Sequence, residues 1–171
     1  LADLGLLGWT RTRDGMRFRL PPVLAPMLIG TEDAETERAR STRAARVLAA
    51  QLGDLGDLGD PRYVDDEALR EVLRLAARSD DLTLELDAAV ALADLECFFL
   101  QYQRAKATCE TTLARCEDSR LRRILAEAHL ELGLGQADLY FAQALAACPA
   151  DAVAERASIL ASRGFWTGEV L

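Results

Sequence analysis

The chain has 171 residues, of which 50% are hydrophobic, enough apolar surface for one domain to bury a continuous core. Its 20 basic and 28 acidic residues give a net charge of -8, which repels a phosphate backbone and argues against nucleic acid as a partner. No apolar run reaches the roughly 18 residues of a membrane span, and the N-terminus lacks the pattern of a signal peptide, so we expect a cytoplasmic protein without membrane contact.

The opening residues predict a β-hairpin that follows the end of a helix. Trp9–Arg13 and Met16–Leu20 have the pattern of short strands, and Asp14-Gly15 between them is a two-residue turn signal, because both turn positions favour positive φ. Pro21-Pro22 ends the second strand. Since the sequence opens inside an apolar segment at Leu1, without Met, we expect it to be a piece of a longer protein.

Helices dominate the rest of the chain, because its apolar residues are mainly Leu and Ala, which lose little on entering a helix. The Gly-rich Leu-Gly-Asp triplets of residues 52–61 predict an exposed connector. The predicted helices begin at Thr31, at Asp65 or Asp66, and at Asp80 or Asp81, and the later breaks fall near Gln101–Gln103, Glu117–Ser119, Gly133–Gly135, Pro149–Asp151 and Gly164.

The second half of the chain is self-similar at a period of ~34 residues. The clearest copy has small, large, glycine, alanine, aromatic, alanine and proline positions in that order: Leu125-Ala126, His129, Gly133, Ala137, Phe141, Ala144 and Pro149. The preceding copy carries Ala105 where this copy has Ala137, and a third copy begins after Asp151. Both the period and this order of residue types resemble those of tetratricopeptide repeats.

Residues 86–171 therefore resemble tetratricopeptide repeats. The resemblance implies an all-α fold of antiparallel helix hairpins stacked into a right-handed superhelix, preceded here by the small β-hairpin. The sequence suggests three regions: residues 1–30 with the hairpin, residues 31–80 as a helical connector that could be a degenerate repeat, and residues 81–171 with the repeats. An unrelated helical bundle with chance spacing of small residues is the alternative.

The opening segment "LADLGLLGWTRTRDGMRFRLPPVLAPML" resembles the end of a winged-helix domain in signalling ATPases and regulators of the STAND type. In that family the winged helix joins the nucleotide-binding part to a helical-repeat arm that senses a partner. A generic hairpin cap is the alternative for this segment. No GxxxxGK[ST] loop occurs in the sequence, so the segment itself carries no signal for nucleotide binding.

Tetratricopeptide repeats bind partners on a concave face that is formed by the first helix of each unit. The resemblance implies that the corresponding residues of this chain line a binding groove. Val90, Asp94, Arg123 and Glu127 depart from the Lys and Asn pattern with which chaperone-binding members hold a terminal carboxylate, so we do not expect such a ligand. Phe98, Val90 and Leu130 among charges of both signs instead favour an amphipathic or extended segment with an apolar anchor. The opposing interpretation is that the charges only pair with each other. The groove residues are Asp87, Val90, Asp94, Cys97 and Phe98 in one unit, and Arg120, Arg123, Glu127, Leu130 and Glu131 in the next.

Catalytic and metal chemistry have weak support in the sequence. His129 is the only histidine and occupies a packing position of the repeat, so no enzyme and no cofactor are predicted. Asp54, Asp57 and Asp60 recur at every third residue, whereas calcium-binding loops place a ligand at every second residue and add a bidentate Glu. The spacing therefore favours a solvated loop over a calcium site. The four cysteines lack CxxC spacing, so neither a zinc site nor any other metal site is predicted and we expect reduced thiols.

The sequence favours a non-catalytic scaffold that binds a protein or peptide, or other domains of a longer parent chain, as the sensor arm of a signalling protein. The alternative function is a fragment of a transcriptional regulator whose hairpin is a DNA-contacting wing. That hypothesis depends on four arginines near the hairpin tip, Arg11, Arg13, Arg17 and Arg19.

Overall fold

The computed structural model describes residues 8–12, 15–19, 33–79 and 81–167. The chain divides into two compact units, Leu1–Glu37 and Arg38–Leu171. The residues predicted as helical connector and those predicted as repeats lie together in the second unit from Arg38 onward.

In the described ranges the chain is helical apart from one strand pair, as the sequence predicts. Within the described residues, no helix combines the length and hydropathy that crossing a membrane requires. The α-helices are α1 Ala34–Leu52, α2 Asp66–Ser79, α3 Leu82–Phe98, α4 Tyr102–Leu113, α5 Ser119–Glu131, α6 Ala137–Ala147 and α7 Val153–Thr167, and Pro61–Tyr63 form a 3-10 turn.

Aspartates begin several of these helices, because their carboxylates accept backbone N–H groups that have no partner inside the helix. The Asp118 carboxylate accepts from the N–H groups of Arg120 and Leu121, and Asp81 accepts from that of Leu84 at 3.4 Å. The predicted N-cap Thr31 lies outside the described residues. Prediction and structure differ at Gly164, which lies inside α7 instead of ending it.

The two strands, β1 Gly8–Thr12 and β2 Gly15–Arg19, pair antiparallel in the first unit. Their register joins Thr12 to Gly15 and Trp9 to Phe18. Gly15 thus belongs to strand β2. A two-residue turn at Asp14-Gly15 would pair Thr12 with Arg17, so the observed partner of each residue is shifted by two positions from the predicted one. Because the shift is even, it preserves the alternation of the strands.

In the connector formed by the Leu-Gly-Asp triplets, the aspartates stabilise local turns and the leucines pack on the core. Asp54 accepts from the N–H of Gly56 at 2.9 Å, and Asp57 accepts from that of Gly59 at 3.2 Å. Such local turns leave the aspartates exposed. The leucines of the same triplets are half-buried against the first core cluster, so the connector is anchored to the core and is not fully exposed as the composition suggested.

The described residues of the second unit form three hydrophobic core clusters, and each is built by three successive helices. The first joins α1, α2 and α3 through residues such as Ala49, Leu69 and Leu92. The second joins α3, α4 and α5, and the third joins α5, α6 and α7. Helices α3 and α5 therefore each contribute to two clusters, as expected where successive helix hairpins stack side by side.

Equivalent residues of the two central hairpins follow the repeat period. The buried residues of α4 are Ala105, Cys109 and Thr112, and those of α6, 32 residues later, are Ala137, Phe141 and Ala144. The buried Leu92-Ala93 of α3 matches Leu125-Ala126 of α5 at a distance of 33 residues. This spacing confirms a helical-repeat-like arrangement, in which one packing pattern is used twice.

Both first helices of these hairpins end in the same hydrogen-bond pattern. The N–H of Gln101 donates to the carbonyl of Glu96, and the N–H of Leu134 donates to that of His129. This Schellman pattern places one residue in the left-handed region. At one end that residue is Gly133, with φ 67°, but at the other it is Leu100, with φ 58°.

The strained backbone at Leu100 generates a prediction for stability. Since its side chain is 72% exposed, Leu100→Gly removes strain with little loss of packing, and we expect it to raise the free energy of unfolding by about 0.5–1 kcal/mol. Leu100→Ala keeps the strain and should stay within about 0.5 kcal/mol of the wild type. Urea unfolding of the three proteins measures this, and an equal gain in both variants would contradict the strain account.

Candidate functional site

The sequence-predicted groove lies along the two neighbouring first helices, α3 and α5. Two arginines of α5 reach carboxylates of α3: Arg120 to Asp87 at 3.1 Å and Arg123 to Asp94 at 3.2 Å. The structure therefore brings the charged residues of the two predicted sets together along one seam. We call this seam, with these four residues, the ion-pair face.

The charges of the ion-pair face are largely neutralised within the chain. Arg120 also binds Asp118 at 2.9 Å, and Arg123 binds Glu127 at 2.7 Å. In the isolated chain, the charged groove residues therefore pair with each other, which is the second interpretation that the sequence allowed. Partly exposed pairs of this kind each contribute about 0–1 kcal/mol to stability, so they orient the two helices without dominating their packing.

The apolar residues of the predicted groove differ in how much of their surface is exposed to a partner. Val90 and Leu130 are half-buried and pack against the second and third core clusters. Glu131 is exposed, and Phe98 keeps 52% of its surface exposed. Among the predicted groove residues, Phe98 is accordingly the large apolar side chain that remains available.

Phe98 belongs to an exposed apolar cluster whose other members, Phe99 and Leu100, are not part of the predicted groove. Its ring lies edge-to-face against Phe99, with ring centroids 5.2 Å apart, and Leu100 follows directly. We call Phe98, Phe99 and Leu100 the apolar tip. The sequence signal for the tip is three consecutive apolar residues at a predicted helix end.

An open cleft of about 420 Å³ borders the apolar tip. Leu100 and Tyr102 line it from the α3–α4 turn, and Leu132 lines it from the α5–α6 turn. Because the cleft joins equivalent turns of two successive hairpins, an apolar side chain held there would contact both.

A second cleft, which was not predicted from the sequence, lies between α2 and α4, with α3 at its base. It has a volume of about 460 Å³ and adjoins a smaller one of about 400 Å³, since both are lined by Arg70, Ala107 and Thr108. Helices α2 and α4 are separated in sequence by the whole of α3. Only the packed fold could reveal this cleft.

Two buried glutamates of α3 carry charge into the base of the second cleft. Glu96 is 2% exposed and binds Arg70 of α2 at 2.7 Å, and it accepts from the Thr108 hydroxyl of α4 at 2.9 Å. Glu85, also 2% exposed, binds Arg115 at 3.0 Å. Buried carboxylates need such partners, so these contacts connect α3 to the helices on either side.

His129 is buried beside Tyr140, with ring centroids 4.8 Å apart, and neither of its nitrogens has a hydrogen-bond partner among the residues that the structure describes. Burial, helped by the positive charge of Lys106, lowers the pKa of His129 below its ordinary value, although Glu110 acts in the opposite direction. The residue therefore packs as a neutral ring. It occupies the same repeat position as the buried Glu96, 33 residues earlier.

The cysteines have the character of packed thiols. Burial raises the pKa of the Cys97 thiol to about 12, with a further contribution from nearby carboxylates, and burial also raises that of Cys109. Both thiols are thus protonated at neutral pH, which makes them poor nucleophiles. Within the described part of the chain, no three His, Cys, Asp or Glu side chains are grouped as metal ligands.

Comparison with known proteins does not assign the chain to a family. No protein-family model, no curated protein and no solved structure matches it. The function is therefore inferred from the geometry of the chain itself.

Removal of the Glu96 carboxylate tests its role in joining three helices. Because Arg70 is 36% exposed, water can replace part of the lost contact, so we expect Glu96→Ala to lower the free energy of unfolding by about 2–3 kcal/mol. Glu71→Ala, which removes a partly exposed pair with Arg74, should cost less than about 1 kcal/mol. Equal losses in urea unfolding would refute a special role for Glu96.

His129 should make stability fall in mild acid. The unfolded chain takes up a proton on His129 near pH 6.5, whereas the folded chain, with its lowered pKa, resists protonation, so stability is lost as the pH drops below about 6.5. We expect His129→Phe to flatten the pH dependence of the free energy of unfolding between about pH 7 and 5. Identical pH profiles for the two proteins would show that His129 does not contribute.

Proposed function

We propose that the chain is a non-catalytic scaffold that binds a segment of a partner protein along α3 and α5, with the apolar tip as the anchor point. The partner segment lies along the ion-pair face and inserts an apolar side chain beside Phe98. This is the mode of recognition that the resemblance to tetratricopeptide repeats implies, and the shared packing of successive hairpins supports it.

The exposed apolar tip is the observation that carries the proposal. Three neighbouring large apolar residues are exposed by 52%, 46% and 72%, whereas single exposed apolar residues are normal on any surface. Aromatic side chains of this kind provide most of the energy at many protein interfaces. The tip is also where Leu occupies a left-handed position that Gly fills in the next hairpin, and such strain is concentrated at functional sites.

The ion-pair face should orient the bound segment and contribute little to its affinity. Since Arg120 and Arg123 already have carboxylate partners, a bound segment would exchange one ion pair for another, with little net gain. The scaffold should consequently select for an apolar anchor and tolerate variation in the charges of its partner.

The proposal also includes the larger setting suggested by the opening segment, in which the scaffold is the arm of a signalling protein. The antiparallel strand pair ahead of the helices supports this order of elements. A cytoplasmic setting agrees with the four cysteines, which are all free.

The direct test is quantitative capture of partners by the immobilised chain from a cell extract. We expect Phe98→Ala to reduce recovery of the partners at least about tenfold, because loss of a central aromatic anchor costs more than about 1.4 kcal/mol. Arg123→Ala should reduce recovery less than about threefold, because Asp94 and Glu127 already pair with this arginine.

Tyr63→Ala is the matched control, since Tyr63 is a 77% exposed aromatic residue outside the tip. Circular dichroism of each variant shows that the helices are retained. If Phe98→Ala and Tyr63→Ala recover the same proteins in the same amounts, the apolar tip is not the anchor and the proposal fails.

A further inference from the structure

Helix α7 repeats a sequence pattern of the two earlier first helices, α3 and α5. The pattern is Ala91-Leu92-Ala93 in α3, Ile124-Leu125-Ala126 in α5 and Ile159-Leu160-Ala161 in α7. The first residue of each triplet packs in the cluster shared with the two preceding helices, and Ile159 accordingly has 0% exposure. Helix α7 is therefore the first helix of a further unit in the stack.

The last residue of each triplet faces the hairpin that follows. Ala93 lies in the cluster that α3 shares with α4 and α5, and Ala126 lies in the one that α5 shares with α6 and α7, so both have 0% exposure. Ala161, at the same position of α7, is exposed. The side of α7 that corresponds to these stacking surfaces is thus open in the described part of the chain.

This open side of α7 is apolar. Its residues follow the three- and four-residue spacing of one helix side, and three of them are large: Val153 is 73% exposed, Leu160 38% and Phe165 78%. Scattered apolar residues are normal on a surface, but a contiguous row of them marks an interaction surface. We call this side the α7 stripe, with the residues Val153, Ala154, Ala157, Leu160, Ala161 and Phe165.

The three charged side chains of α7 are directed away from the stripe, towards the preceding hairpin. Arg156 donates to two backbone carbonyls at the end of α6, at 3.1 and 3.2 Å, and Glu155 accepts from the Ser119 hydroxyl of α5. Arg163 lies 3.5 Å from Asp138 of α6. A helix that closes a repeat stack has a polar outer face. Helix α7 has the reverse arrangement, which predicts that an apolar surface covers the stripe.

Helix α1, at the other end of the described stack, does not provide a matching surface. Its exposed residues include Arg38, Arg40 and Arg43. Stacking copies of the chain head to tail would place these arginines against the α7 stripe, and removing charged groups from water in this way is costly. The stripe of another copy, by contrast, matches apolar surface with apolar surface.

We propose that the α7 stripe is a dimer contact, in which α7 pairs antiparallel with α7 of a second copy of this chain. Placing Ala157 opposite Ala161 of the second copy puts small residues where the two helices cross, so that the helices pack closely. The same register brings Phe165 beside Ala154 of that copy, and a large ring then lies over a small side chain. The stripe is thus complementary to itself, as a two-fold contact requires.

The dimer should be weak, because one helix face of 15 residues buries less than the roughly 1,200 Å² of a stable complex. We expect a dissociation constant of about 10–100 µM. This contact goes beyond the proposed function, since it uses neither the ion-pair face nor the apolar tip. The dimer would carry two apolar tips and would bind a partner with two suitable segments more tightly than the monomer does.

Sedimentation equilibrium at chain concentrations from about 1 to 500 µM tests the dimer. We expect the average mass to rise with concentration towards twice that of the chain. Raising the salt from about 0.05 to 0.3 M should strengthen the association, because the stripe is uncharged and each copy carries a net charge of -8. A chain that stays monomeric throughout this range would overturn the proposal.

A carboxylate on the stripe locates the contact. Ala161→Glu should weaken the dimer at least about tenfold, because it buries a charge where the helices cross. Ala39→Glu is the matched control, since it adds the same charge at an exposed alanine of α1, and it should leave the dimer unchanged. Circular dichroism shows that both variants keep their helices. Equal weakening by the two variants would exclude the stripe as the contact.

A charge pair tests the antiparallel register. In the double variant Ala157→Lys with Ala161→Glu, each new charge faces the opposite charge of the second copy. The double variant should therefore dimerise at least about fivefold more tightly than Ala161→Glu alone. In a parallel pair like charges would face each other, so a double variant that dimerises no more tightly would contradict the proposed pairing.

Phe98→Ala separates the stripe from the apolar tip. We expect this variant to dimerise like the wild type, because Phe98 lies on α3 and outside the stripe. We also expect Ala161→Glu to leave the capture of tip-binding partners unchanged. If Phe98→Ala abolishes dimerisation, the copies associate through the apolar tip and the α7 stripe is not the dimer contact.

Discussion

The close approach of α3 and α5 is the constraint on which the rest of the second unit depends. Ala89, Ala93 and Ala126, all with 0% exposure, line the contacts that these helices share with their neighbours. Small side chains let neighbouring helices pack closely. In this packing, arginines of α5 reach carboxylates of α3, and α2 and α4 line one cleft with α3 at its base.

Much of the helical order could be predicted from the sequence, because it depends on local chemistry. Aspartates at helix starts and Gly133 at a helix end act within a few residues, so their effects are readable directly. Gly164 was wrongly predicted to end α7, because one Gly in a helix costs only about 1 kcal/mol and packing can compensate for it. Leu100 shows the converse, since a Schellman pattern formed without the expected Gly.

The candidate sites were less predictable, because they depend on contacts between residues far apart in sequence. The repeat period placed Asp87, Asp94, Arg120 and Arg123 on adjacent helices, but their pairing required coordinates. The α2–α4 cleft lies between helices that are not consecutive, and its buried glutamates have no local signature. The Gly-rich composition of the connector predicted an exposed segment, but its leucines pack on the core.

The stacking of α3 against α5 can be measured by nuclear Overhauser effects between methyl groups in the isotope-labelled chain. The structure predicts cross-peaks from the Ala89 and Ala93 methyls of α3 to methyl groups of Leu121, Ile124 and Leu125 in α5, because these residues form one buried cluster. Cross-peaks confined to each separate helix hairpin, in a chain that is still helical by circular dichroism, would contradict the stacked arrangement and the proposed binding site along α3 and α5.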